Sequence, residues 1–201
     1  MSRSPSPPAE AARVDRAATR ERIVAAAVAL YEEKGLAGLS MRAIASRAGI
    51  PTMTLYGHFP SKTAIVRSLW SFAFDPLFAQ MRKVEDQAGD PAHRLRSVAR
   101  TYVAYWMAHP DRYRMVFMVE DQREPGDPAW FIDETGVVDS YMRFGPLIAA
   151  ARGTPGHDCK AEAEALIGAL TGIVHMAITV SEYPWLPPER YADIIVDGLI
   201  G

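Results

Sequence analysis

Between Gly49 and Lys62 the chain reads GIPTMTLYGHFPSK, and four hydrogen-bonding side chains, Thr52, Thr54, Tyr56 and His58, alternate through it. Hydroxyls and an imidazole at this density suit recognition, because each can donate to a phosphate oxygen or meet the edge of a base. Leu55 and Phe59 lie four residues apart, as on one face of a helix, while Pro51, Gly57 and Pro60 punctuate the run. Pro51 is tolerated at a helix start, where its missing N–H would be unpaired anyway, and Pro60 stops the helix. A helix of about two turns does not form on propensity alone. Ile50, Leu55 and Phe59 must therefore pack on neighbouring helices, which leaves the polar face outward as a contact set.

The neighbours are legible on either side. TRERIVAAAVALYEEKG places Ile23, Ala27, Leu30 and Tyr31 on one helical face, with Thr19 as the expected N-cap and Gly35 as the expected left-handed end. LSMRAIASRAG offers Ser40 as N-cap, Ile44 and Ala48 as inner face and Gly49 as the turn. After the fragment, Ser61 is placed to cap SKTAIVRSLWSFAFDPLFAQMRKV, a long helix expected to kink or break at Pro76. Short helices with a Gly-containing turn between the second and third match a helix-turn-helix, whose recognition helix enters the major groove of DNA. Charge agrees: Met1 to Arg67 holds 10 Lys and Arg against 5 Asp and Glu, and the remainder 12 against 19. The basic part is the one expected to meet a polyanion, although chance clustering would produce the same asymmetry.

These residues also carry a resemblance. TRERIVAAAVALYEEKGLAGLSMRAIASRAGIPTMTLYGHFPSKTAI, with SMRAIASRAGI, TLYGHF and PSK in register, resembles the N-terminal domain of the TetR/AcrR family of transcriptional regulators. The resemblance covers roughly residues 19 to 67. It implies a homodimer that sets two recognition helices on a partly palindromic operator in double-stranded DNA. It also implies a larger helical domain that binds a small-molecule effector and thereby releases the DNA. By position in the motif, Arg42 would reach a base edge or a phosphate, and Ser40 would present its hydroxyl to a phosphate. Thr52, Met53 and Thr54 would occupy the base-facing start of the recognition helix. Tyr56, His58 and Lys62 would hold phosphates, with Arg20 and Arg22 adding sequence-independent contacts. Each has a plainer alternative: Arg42 as a solvated arginine, Tyr56 as partly buried, His58 as a structural histidine. Gly57 departs from the family pattern, which usually has a larger residue there, and Pro51 replaces the usual capping Ser.

The remainder reads as helices separated by turn signals. Pro91 to His109 carries Leu95, Val98, Tyr102 and Tyr105; PDRYRMVFMVED is short; Pro128 to Arg152 has irregularities expected at Gly136 and Pro146. CKAEAEALIGALTGIVHMAITVSEY is long and apolar, and PPERYADIIVDGLIG closes the chain. Tyr102, Trp106, Met107, Phe117, Met118, Phe131, Tyr141, Phe144, His175 and Met176 could line an effector pocket, and they could equally form the core. The expected effector is apolar or aromatic. Ala165, Gly168, Ala169 and Gly172 form a small-residue stripe that permits close helix approach. With Ile194 and Ile195 it is the expected dimer interface, a four-helix bundle with two helices from each subunit; internal packing is the alternative.

No alternating strand pattern occurs, so the expected fold is all-α with about nine helices. It divides into a disordered arm over residues 1–15, a helix-turn-helix domain over 16–67 and an effector-binding and dimerisation domain over 68–201. Hydrophobic residues make up 49% and charged residues 23%, a globular balance. Cys159 is the one cysteine, the start lacks the apolar core of a secretion signal, and no apolar run is expected to approach the ~20 residues of a membrane helix. The expected location is cytoplasmic. Cys159 with His157 and Asp158 is too compact for a zinc site, and no phosphate loop or nucleophile elbow is present. The expectation is therefore a regulator without metal or cofactor rather than an enzyme. A helical small-molecule-binding protein or enzyme with a vestigial DNA-binding head is the alternative.

Overall fold

The computed structural model describes residues 7–87, 89–118 and 136–201, with side chains from Val14 onward. Helix α1 spans Pro7–Lys34. A 3-10 turn over Leu36–Gly38 leads to α2 (Met41–Ala48), α3 (Thr52–His58) and α4 (Lys62–Ser68). There follow α5 (Trp70–Glu85), α6 (Pro91–Ala108) and α7 (Pro110–Phe117). Beyond the undescribed stretch lie α8 (Val137–Met142), α9 (Phe144–Ala151), α10 (Lys160–Thr179) and α11 (Pro188–Ile200). No strand occurs among the described residues, and reading through the single-residue interruptions at Leu69 and Arg143 leaves nine helices.

The chain separates into two compact units, with the boundary between Phe72 and Ala73 in the first turn of α5. In the first unit Ile23, Ala27, Leu30, Ile44, Leu55, Phe59, Ile65 and Leu69 are buried. In the second, Phe74, Leu77, Leu95, Tyr102, Trp106, Tyr113, Phe144, Leu166, Leu170, Val174 and Val196 are.

Three local expectations are corrected. Thr19 does not cap α1: the helix begins at Pro7, and residues 7–15, read as a disordered arm, belong to it. Their Ala, Glu and Arg are strong helix formers, which composition read as disorder obscured. Pro76 does not break the long helix, which runs through it and is interrupted at Leu69 instead. A proline repels the carbonyl one turn earlier and tilts its neighbours outward. Here the Ala73 carbonyl receives an O–H from Tyr105 at 2.5 Å, so a buried side chain supports the backbone beside the proline. Gly35 has a positive φ of 62°, but its ψ of −166° is extended rather than left-handed helical.

The apolar-run expectation also fails. α10 is 20 residues long and, by length and composition, apolar enough to cross a membrane: its most apolar 18 residues have a mean hydropathy of 1.4, and 22% of them are buried within the chain.

Candidate nucleic-acid interface

α2 and α3 are built as a hydrogen-bonded corner. The Ser40 hydroxyl oxygen accepts the Ala43 N–H at 3.2 Å and caps α2. Gly49 ends α2 in the left-handed conformation (φ 66°, ψ 36°), and the Ile50 N–H returns to the Ala45 carbonyl at 3.1 Å. That geometry is the reason for a glycine at 49, since a side chain there would be strained. Arg47 fixes α2 to α1 through two hydrogen bonds to Glu33, of 2.8 and 2.5 Å, and its guanidinium holds the Glu33 carboxyl below the usual carboxylate range.

α3 has little intrinsic support. Its N-cap, Pro51, makes no side-chain cap, although its carbonyl accepts the Leu55 N–H at 3.2 Å. A Cβ added at Gly57 would meet nothing within 4 Å, so packing does not demand glycine there. The helix is held from behind: Leu55 and Phe59 are buried and Ile50 is half-buried. The opposite face is open, with Met53 80% and Tyr56 47% exposed, Thr54 exposed and Thr52 half-buried.

The other expected contacts are distributed around this face. Ser40 is exposed and keeps its O–H as a donor after capping. Arg42 is exposed, and no hydrogen bond or ion pair engages it among the described residues. Lys62 stands at the start of α4, after a Ser61 cap that accepts the Ala64 N–H at 3.1 Å. Its ammonium donates to the Leu36 carbonyl at 3.4 Å, which leaves further donors free. His58 fits least well, because it is half-buried and its Nδ1 is shut away from solvent without a hydrogen-bond partner. Arg20 and Arg22 are both exposed, and the Arg20 guanidinium lies over the Phe59 ring, 4.7 Å from the centroid. Arg16, missed in the sequence, donates to the Gly57 carbonyl at 3.2 Å. A signal was present, since Arg16 and Arg20 continue the i, i+4 stripe that reaches Ile23 and Ala27.

In the second unit the candidate effector residues divide. Tyr102, Trp106 and Phe144 are fully buried, and Tyr141 packs edge-on against Phe74, Phe78 and Tyr102. Phe117 closes on Trp106 and Tyr113 with centroids 5.4 and 4.8 Å away. Tyr113, Phe74, Phe78 and Thr171 belong to this cluster and were not foreseen. The Tyr102 hydroxyl is 2.7 Å from Thr171 Oγ1, and the Tyr113 hydroxyl donates to the Thr171 carbonyl at 3.3 Å. Burial pushes the Tyr102 and Tyr141 hydroxyls above the usual tyrosine value and Tyr113 up to about 12. Met107 is half-buried and Met118 exposed, and Phe131 lies outside the described residues. His175 and Met176 are both exposed on α10, and the His175 ring is tilted against that of Tyr113 with centroids 6.1 Å apart.

Met176 lines an apolar groove of about 380 Å³ between α10 and α11, with Gly172, Ile173, Trp185, Tyr191 and Ile195. Ala165, Gly168 and Gly172 are exposed, and a Cβ on either glycine would meet nothing within 4 Å. Packing inside the chain therefore does not account for the small-residue stripe. Ala169 and Ile195 are half-buried, and Ile194 is 62% exposed. Among the described residues no group of three His, Cys, Asp or Glu is placed to hold a metal ion.

Comparison with known proteins places both parts. Residues 23–69 match the family described as "Bacterial regulatory proteins, tetR family", and residues 95–199 match "Tetracyclin repressor-like, C-terminal domain". The HTH-type transcriptional repressor KstR2 of Mycobacterium tuberculosis is 31% identical over 105 residues, which is 52% of this chain and 51% of that protein. The chain thus spans about half the length of the curated relatives it matches. Among solved structures, FadR of Thermus thermophilus in complex with lauroyl-CoA has a TM-score of 0.69 at 17% identity, covering 90% of this chain and 93% of that one. FadR of Bacillus subtilis in complex with stearoyl-CoA has a TM-score of 0.62 at 16% identity, covering 90% and 97%. These likenesses are of fold. The second family match alone takes in more than half the sequence. This chain belongs to the TetR family of bacterial regulatory proteins.

Proposed function

We propose that the protein is a cytoplasmic transcriptional repressor that binds a palindromic DNA operator as a homodimer and is released by a small-molecule effector. The observation that carries the reading is the outer face of α3, where Met53, Thr54 and Tyr56 are exposed while Leu55 and Phe59 are buried. A short helix anchored by apolar residues and faced with polar ones suits major-groove readout. Met53 and Thr54 are the base-facing pair. Ser40, Arg42, Tyr56 and Lys62 hold backbone phosphates or a base edge around them, with Thr52 and His58 at the margin. Arg42 supplies the bidentate fork that guanine accepts.

Dimerisation uses the outer faces of α10 and α11. The exposed Ala165, Gly168 and Gly172 allow a partner helix to approach closely, and Ile194 with Met176 supplies apolar surface around them. The effector is an apolar or aromatic molecule received by the second unit at the Tyr102–Trp106–Tyr113–Tyr141 cluster. The acyl-CoA thioesters held by the two FadR proteins of similar fold are the first probes to try. A ligand that binds better to the conformation misfitting the operator releases DNA by population shift.

Selection of bound duplexes from a random DNA pool tests the reading. The expected product is a palindrome with half-sites about one helical turn apart. Recovery of no motif, with binding lost steeply as salt rises, would overturn sequence-specific recognition and favour a ligand-binding protein with a vestigial head.

A further inference from the structure

The recognition helix is the least self-sufficient element of the first unit, with seven residues, no side-chain N-cap and a glycine in its last turn. The carbonyls of a last helical turn lack intrahelical partners and favour a cation beside them. Arg16 supplies both needs, donating from Nη2 to the Gly57 carbonyl at 3.2 Å. One turn along α1, Arg20 lays its guanidinium over the ring of Phe59, the C-cap of α3. The Phe59 N–H closes on the Leu55 carbonyl at 2.9 Å, so both arginines act at the same helix end. The stripe Arg16, Arg20, Ile23, Ala27 is thus a single face of α1 whose outer half is cationic and whose inner half is core. Both arginines precede residue 23, where the family match begins.

We infer that Arg16 and Arg20 are positioning residues for the recognition helix, which hold its C-terminal end in the groove-reading orientation without themselves contacting DNA. A sequence-only reading assigns basic residues at a DNA head to phosphates. In the structure these two guanidiniums engage a carbonyl and an aromatic face, which are charge-assisted and cation–π contacts. The inference rests on the DNA-reading function proposed above, but its first measurement requires no DNA.

The test compares the full chain with Arg16→Ala, Arg20→Ala and the double variant. Amide hydrogen exchange of the free protein is read at Leu55 to Phe59, together with the thermal midpoint. The expected result is a loss of protection at these amides of about tenfold in the double variant, with the midpoint unchanged. Binding is then measured to the selected operator and to scrambled DNA across a salt series. Operator affinity should fall about tenfold while scrambled binding and the salt slope stay put, and Arg16→Lys should restore part of the loss. Unchanged exchange with a salt slope lower by about one per arginine would overturn the inference and make both residues phosphate contacts. Protection lost only in step with the whole fold would also overturn it. If wild type selects no DNA sequence, the repressor reading fails while the exchange result still decides whether α1 braces α3.

Discussion

Arg100 on α6 grips Asp193 on α11 with two hydrogen bonds, of 2.6 and 2.7 Å, and holds the Asp193 carboxyl below the usual range. One turn away, Arg96 pairs with Asp197 at 2.6 Å. Arg152 closes the end of α11 by donating to the Leu199 carbonyl at 2.9 and 2.7 Å. Together with buried Ala192 and Val196, these contacts fix the rotation of α11 about its axis and turn Ile194 outward.

The outward setting of Ile194 predicts a separable association surface. Ile194→Glu should leave the monomer folded, because the side chain is 62% exposed within the chain. It should shift the protein from dimer to monomer in analytical ultracentrifugation. Gly172→Leu should do the same by filling the open space beside α10. A dimer that survives both substitutions would move the interface elsewhere.

Gly57→Ala should raise stability by about 0.5–1 kcal/mol, since the added methyl meets nothing and a helical glycine costs backbone entropy. Chemical denaturation reads the change directly. A loss of stability would mean that the last turn of α3 departs from helical geometry in solution.

Tyr56→Ala and Lys62→Ala should each weaken operator binding by about tenfold while leaving the thermal midpoint within error. Both side chains are exposed on the first unit. Lys62→Ala should also lower the salt slope by about one, as expected of a phosphate contact. Variants that melt several degrees early would show core where contact surface was assigned. Leu55→Ala is the contrasting case, costing about 2–5 kcal/mol because Leu55 is wholly buried.

Alkali should unfold the second unit through its tyrosines. Burial raises Tyr102 and Tyr141 and brings Tyr113 to about 12, whereas tyrosines in the unfolded chain ionise near 10. The native state therefore binds these protons more tightly than the unfolded one. The associated stability is fully present below pH about 10 and is lost as pH rises through about 12. Ultraviolet titration of tyrosinate should follow unfolding rather than precede it for these three rings. Tyr102→Phe should flatten that pH dependence.

Much of the first unit was legible because its signals are local. The Ser40 and Ser61 caps, the Gly49 turn, and the alternation of Leu55 and Phe59 with polar residues act within one or two helical turns, and each appears in the structure. Local rules misread the start of α1, because proline and serine ahead of it masked a helix-forming run, and misplaced the break at Pro76. They also could not distinguish a free arginine from Arg20, whose partner Phe59 is 39 positions away, or find Arg16, whose acceptor Gly57 is 41 away.

The second unit was harder for the same reason. Its helices could be read from periodicity, but the sorting of aromatic and methionine residues into interior and outer face depends on how α5 to α11 are rotated against one another. Tyr102 and Met176 both read as pocket residues in the sequence; Tyr102 meets Thr171 in the interior, while Met176 lines the exposed groove beside α11. By itself the sequence determined the all-α class, the helix-turn-helix and its polar face, because these follow from caps, turns and a period of 3.6. Only the tertiary structure decided which arginines hold α3, which aromatics are interior and which side of α10 is left uncovered. Those are set by contacts between residues far apart in the chain, and no local spacing encodes them.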